Sequence, residues 1–136
     1  MKYRVLLIPF AMLCLIAVAT ASDAEKQAED AALAWLSLVD AGQYDASWKE
    51  AASLFRAQVT VKQWSQAVTA ARKPFGELKS RRLKDAKYTT SLPGAPDGEY
   101  VVLQFEAVYE HKASAIETVT PMQDSGSWRV SGYYIR

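Results

Sequence analysis

The sequence predicts an α+β domain in which about three N-terminal helices pack on one face of a four-stranded antiparallel sheet. Up to about residue 73, apolar residues recur at the spacing of amphipathic helices. After Gly76 the apolar period shortens from about 3.6 residues to two, which is the period of a strand. Short turns join the strand patterns, and short hairpin connections imply antiparallel pairing. Helices in one block and strands in another are typical of α+β proteins.

The helical half divides into three predicted segments. The first spans residues 23–41 and carries alanine and large apolar residues on one face. The second spans residues 45–56. The third begins at Thr60, which has capping-box spacing to Gln63.

The strand half contains four alternating segments separated by turn residues. They are predicted at residues 78–88, 99–110, 113–120 and 128–135. Asp97-Gly98 suits a tight reversal before the second strand. Pro121 is predicted to end the third strand, because proline cannot donate to the ladder.

Residues 1–21 have the pattern of a cleaved signal peptide. Basic Lys2 and Arg4 precede an apolar stretch from Val5 to Val18, and Ala19 and Ala21 supply the small residues of a cleavage site. An uncleaved anchor is the alternative. A spanning helix needs about 20 apolar residues, whereas the stretch from Val5 to Val18 is shorter and is interrupted by Pro9. The sequence therefore predicts a leader at 1–21, a single domain at 22–136, and a periplasmic or secreted bacterial protein without a stable membrane anchor.

Composition narrows the chemistry of the mature domain. The only cysteine of the chain, Cys14, is removed with the leader, so no disulfide is expected in the mature domain. Removing Lys2 and Arg4 leaves 14 basic and 15 acidic residues, and this near-neutral balance does not favour a nucleic-acid partner. The single histidine, His111, falls in a predicted turn. One histidine and no cysteine make neither a zinc site nor a nucleophilic triad, so no metal or cofactor is expected.

Two charged residues share strand faces with apolar neighbours. Arg81 is in phase with Leu83 on the first strand, and Glu117 is in phase with Val119 on the third. Because an unpaired buried charge is costly, the two are expected to pair or to reach a common pocket. Two hypotheses stay open: a buried ion pair that sets strand register, and the floor of a ligand cavity lined by tyrosines.

The first strand also carries a basic run, with Lys79 at its start and Lys87 near its end. It could bind an anionic partner, but lysines on an edge strand also block aggregation, and we favour that interpretation.

Several local strings together resemble one family. They are Trp35-Leu36, Asp40-x-Gly42, Tyr44, Trp48, Arg72-Lys-Pro-Phe-Gly76, Ser80-Arg81-Arg82, Leu92-Pro-Gly-Ala-Pro-Asp-Gly-Glu-Tyr100-Val, Glu117-Thr118-Val119 and Trp128-Arg-Val-Ser-Gly-Tyr-Tyr134. This pattern resembles the bacterial domain-of-unknown-function family numbered 4019, which implies no catalytic residues. The element order is more loosely similar to cone-shaped folds of the nuclear-transport-factor-2-like or cystatin-like type, which host enzymes, ligand binders and dimerisation modules.

We therefore expect a non-catalytic binding or interaction module. Its partner would be a small amphipathic ligand, an envelope protein or a second copy of the chain. The alternative is an isomerase- or dehydratase-like enzyme with a cavity carboxylate as general base.

The leader generates the first prediction. Cleavage after Ala21 gives an exported protein that begins at Ser22. Mass spectrometry of the exported protein checks this. Recovery of intact Met1 from the membrane fraction would contradict the signal-peptide interpretation.

Overall fold

The structure is a computed structural model that describes residues 20–136, so most of the predicted leader, Ala19 included, lies outside it. The helical half occupies four α-helices and one 3₁₀ turn: α1 Ala21–Asp40, α2 Tyr44–Glu50, α3 Ser53–Gln58, α4 Val61–Arg72 and the turn Lys73–Phe75. None of these helices is both long enough and apolar enough to cross a membrane.

The strand half forms one antiparallel sheet in the order β1-β2-β3-β4. Its strands are β1 Leu78–Thr89, β2 Tyr100–Tyr109, β3 Lys112–Asp124 and β4 Ser127–Ile135. Helix α1 contacts all four strands, so the helices cover one face of the sheet. The predicted α+β class with a four-stranded antiparallel sheet is confirmed.

The predicted single helix at residues 45–56 is wrong, because the helix is interrupted between α2 and α3. Ala52 has an extended backbone, with φ −61° and ψ 152°. Its N–H donates to the Val130 carbonyl at the edge of β4, over 2.8 Å. A tertiary hydrogen bond therefore overrides the local helical pattern, since propensity is only a weak preference.

The predicted end of the third strand at Pro121 is also wrong, and β3 continues to Asp124. Pro121 lies at the register shift between Thr120 and Pro121 in the β3–β4 ladder. The pairing is already interrupted there, so the missing proline N–H does not end the strand.

Two capping boxes begin the long helices. Thr60 accepts from the N–H of Gln63, which in turn accepts from the N–H of Thr60, as the spacing predicts. Thr20 and Asp23 make the same pair of bonds at the start of α1. Cleavage after Ala21 would remove Thr20 and with it the cap of α1.

An aromatic cluster fills the space between helices and sheet. Trp35, Phe55, Trp64 and Tyr133 lie with ring centroids 5.1 to 6.3 Å apart. Buried Ser47 accepts both deeply buried indole N–H groups, that of Trp35 on its carbonyl at 2.8 Å and that of Trp64 on its hydroxyl at 2.9 Å. The core therefore contains polar groups that are paired, which fixes how α1, α2 and α4 pack together.

Candidate functional site

A charged group of side chains lies between the helices and the sheet. Arg81 on β1 is directly opposite Ala107 on β2, and Ala107 is opposite Ala115 on β3. Both alanines are buried and short. The long Arg81 side chain can therefore cross the inner face of β2 to reach Glu117, two residues further along β3.

The structure brings the two predicted site residues together. The Arg81 Nε donates to Glu117 Oε1 over 2.7 Å, and its Nη2 donates to Oε2 over 3.2 Å. Glu117 is fully buried, and the Arg81 side chain is 9% exposed. This is a two-pronged, charge-assisted contact, the strong form of an arginine–carboxylate pair.

Two phenols complete the shell around Glu117. The hydroxyl groups of Tyr109 and Tyr133 both donate to Glu117 Oε2, over 3.0 Å and 2.5 Å. With the two bonds from Arg81, the carboxylate accepts four hydrogen bonds. An ionised carboxylate has about four acceptor positions, so the number of bonds matches its capacity, with three of them on Oε2 and one on Oε1.

The other side of the Arg81 guanidinium binds Asp40 at the end of α1. Arg81 Nη1 and Nη2 donate to the two Asp40 oxygens over 2.8 Å and 3.0 Å. Arg72 on α4 donates to Asp40 Oδ1 over 2.7 Å. We call Arg72, Asp40, Arg81 and Glu117 the ion network. Its two cations and two anions sum to zero, so burial leaves no net charge uncompensated.

Arg72 is buried although one of its nitrogens has no hydrogen-bond acceptor in the part of the chain that the structure describes. The residue is 9% exposed, and its Nη1 is the unpaired atom. Its guanidinium carbon lies 5.2 Å from the centroid of the Tyr109 ring. The negative face of an aromatic ring attracts a cation at this distance, which accounts for the missing acceptor.

Sequence reasoning missed Asp40 and Arg72. A signal for Arg72 was present, because Trp64, Val68 and Arg72 recur every four residues and form the buried stripe of α4. Asp40 ends α1 beside buried Val39, but its partners come from α4 and β1. No local pattern indicates that choice of partners.

The surroundings favour the charged forms of Asp40 and Arg81 and the protonated forms of the two phenols. Burial alone would raise the pKa of Asp40, but hydrogen bonds and attraction from Arg81 and Arg72 outweigh it and hold the pKa below 3.8. Burial alone would lower the pKa of Arg81, but Asp40 and Glu117 raise it. Burial and the Glu117 charge raise the pKa of Tyr109 to about 12 and also raise the pKa of Tyr133. Both phenols therefore remain proton donors at neutral pH.

The network meets solvent at its Asp40 end. The Asp40 side chain is 22% exposed and lines an open groove of about 570 Å³ with Arg72. Glu117, at the opposite end, is 0% exposed. A cavity carboxylate must be reachable by a ligand or water, and Glu117 is not.

A second, mainly apolar groove lies on the other side of α1. Its volume is about 580 Å³, and it is formed by α1, α2 and the start of β4. Its lining is Ala31, Ala34, Trp35, Leu38, Ala46, Glu50, Ser127, Trp128, Arg129 and Val130. We call it the α1–β4 groove. Three alanines leave the space open, and a few polar side chains accompany the mainly apolar lining, as in many ligand sites.

The remaining candidates from the sequence lie at the surface. The His111 side chain is 64% exposed and lies 3.6 Å from Glu110. Within residues 20–136, no three acidic, histidine or cysteine side chains come close enough to hold a metal ion. On the basic strand, Arg82 and Lys84 both lie against Glu106 on β2.

Comparison with known proteins places the chain in one family. The family model described as "Protein of unknown function (DUF4019)" matches residues 31–133. The match covers most of the chain, so the chain belongs to this family. No protein of curated function matches it.

The ion network generates a stability prediction. Arg81→Met leaves the buried Glu117 charge without its cation and should lower the free energy of unfolding by about 3 to 5 kcal/mol. Glu117→Gln should also destabilise, and the double variant should lose less than the two singles together. Arg82→Met is the matched control, because Arg82 is 76% exposed, and it should cost no more than about 1 kcal/mol. Urea unfolding measures all four variants, and additive losses would contradict the coupling.

Asp40 generates a pH prediction. Its folded pKa is below 3.8, so as pH falls the unfolded chain takes up the proton first. The stability that Asp40 contributes is therefore present above about pH 4 and is lost as pH falls through the lower, folded pKa. Asp40→Asn should be less stable than the native chain at pH 7 and should lose stability less steeply on acidification. Equal acid slopes for both proteins in urea unfolding would show that Asp40 is not a source of the acid sensitivity.

Proposed function

We propose that this member of the DUF4019 family is an exported, non-catalytic binding module that holds an amphipathic ligand in the α1–β4 groove. The observation that carries the proposal is the groove itself. It combines a mainly apolar lining, unfilled space and three polar residues, Glu50, Ser127 and Arg129. Its volume of about 580 Å³ lies within the roughly 300–1,000 Å³ range of small-molecule sites.

The state of Glu117 supports a non-catalytic role. A general base must lie within hydrogen-bond reach of the substrate proton. Glu117 accepts four hydrogen bonds from Arg81, Tyr109 and Tyr133, and it is fully buried. This arrangement favours a structural role for the carboxylate over the isomerase- or dehydratase-like alternative.

The lining of the groove supports an amphipathic ligand. Ala34 is exposed and Ala31 is half-buried on α1, where larger side chains would fill the space. Trp128 is half-buried at the facing edge of β4. Apolar surface that remains open to water next to polar groups favours a partner with both characters.

The sequence supports export. The basic, apolar and small-residue regions of residues 1–21 follow the order of a secretory leader. The mature domain would contain no cysteine, and its packing does not depend on a disulfide. Such a domain suits an oxidising compartment, where free thiols are exposed to oxidation.

Blocking the groove tests the proposal. Ala34→Phe puts a ring into the groove from an exposed position and should weaken binding of the fluorescent amphiphile 8-anilinonaphthalene-1-sulfonate at least tenfold. Ala70→Phe is the matched control, because Ala70 is exposed on α4 and is not part of the lining. Both variants should retain the native melting temperature. Unchanged probe binding by Ala34→Phe, or no binding by the native protein, would overturn the proposed function.

A further inference from the structure

One wall of the α1–β4 groove is a strand edge. Strand β4 is the last in the sheet, so the side that does not pair with β3 has no neighbouring strand among residues 20–136. The Val130 carbonyl points to this outer side, because it accepts from the Ala52 N–H over 2.8 Å. In an antiparallel strand the N–H and C=O of a residue point the same way, and residues two apart share that direction. The backbone N–H and C=O of Trp128 therefore also point outward.

The position of Trp128 brings these two groups to the groove. Trp128 is part of its lining, and Gln123, the partner of Trp128 on β3, donates its own N–H away from β4 to the Glu99 carbonyl. The helices supply no hydrogen bond to the Trp128 backbone anywhere in residues 20–136. The Trp128 N–H and C=O, which point away from β3, thus have no hydrogen-bond partner among the described residues.

This edge restricts what can fill the groove. A purely alkyl ligand would remove water from the Trp128 N–H and C=O without replacing its hydrogen bonds, and stranding such groups is unfavourable. A ligand with a donor and an acceptor at the spacing of a peptide unit avoids that cost. An extended peptide supplies both and can place alternate side chains against the alanines of α1.

We infer that the amphipathic ligand of the α1–β4 groove is an extended, apolar peptide segment that pairs with the β4 edge at Trp128. This inference rests on the proposed function and names the class of its ligand. The peptide backbone would exchange hydrogen bonds with Trp128, and side chains on one face would contact Ala31 and Ala34. The stretch of β4 that can pair with the peptide is short, because the Ala52 N–H already binds the Val130 carbonyl.

Charge favours an uncharged peptide. The lining includes one acid, Glu50, and one base, Arg129, and neither forms an ion pair within residues 20–136. Their charges cancel, so a neutral segment complements the groove better than a strongly acidic or basic one. The opposite sheet edge differs, because Lys84 and Lys87 on β1 are exposed there and discourage strand addition.

The test uses the blocked peptide acetyl-Leu-Ala-Leu-amide and variants in which each amide nitrogen is methylated in turn. Methylation removes one donor without removing the apolar side chains. Since strand amides alternate in direction, methylation of amides that face β4 should weaken binding at least tenfold, and methylation of the intervening ones should not. Saturating peptide should also slow hydrogen exchange of the Trp128 amide at least tenfold.

The outcomes separate this inference from the proposed function. Equal binding of all methylated peptides, or unchanged exchange at Trp128, would overturn strand pairing. The groove would still stand as the site if Ala34→Phe abolished binding of 8-anilinonaphthalene-1-sulfonate. Failure of the native protein to bind the peptide would overturn this inference. Failure to bind both the peptide and the fluorescent probe would overturn both proposals. Ala70→Phe should bind the peptide like the native chain, which controls for a general effect of an added ring.

Discussion

The Arg81 guanidinium lies between two carboxylates, and the relation of the helices to the sheet depends on it. It joins Asp40 at the end of α1 to Glu117 in the middle of β3 while its own backbone is part of β1. Apolar packing is largely non-directional, whereas these bonds require defined positions for three elements at once. Buried ion pairs add little net stability compared with apolar packing, but losing one partner is costly. The network therefore specifies how α1 lies on the sheet.

Helix α1 contributes residues both to the ion network and to the α1–β4 groove. Its C-terminal residue, Asp40, is held by two arginines at one end of the sheet. Its middle presents Ala31 and Ala34 to the open groove beside β4. The helix also packs directly against β4, so one element takes part in both the ion network and the groove. In our proposal the ligand binds in the α1–β4 groove, whose lining contains no member of the ion network.

The part of the network that the sequence could predict follows from strand periodicity. Alternation places Arg81 and Glu117 on the inner face whatever the exact pairing, and an unpaired buried charge is unfavourable, so a contact between them could be expected. Asp40 and Arg72 are on helices, and their meeting depends on where α1 and α4 end over the sheet. The break at Ala52 escaped prediction for a similar reason, since its cause is the distant Val130 carbonyl.

Local patterns in this chain are sufficient for the helical half, the four strands, the capping box at Thr60 and the inward direction of the two charges. These features depend on neighbours within a few residues, so they can be read along the chain. The third and fourth members of the ion network, the two phenols on Glu117 and the groove beside the β4 edge required the assembled fold. Each of them joins residues that are far apart in sequence, and their proximity depends on how the helices and the sheet pack.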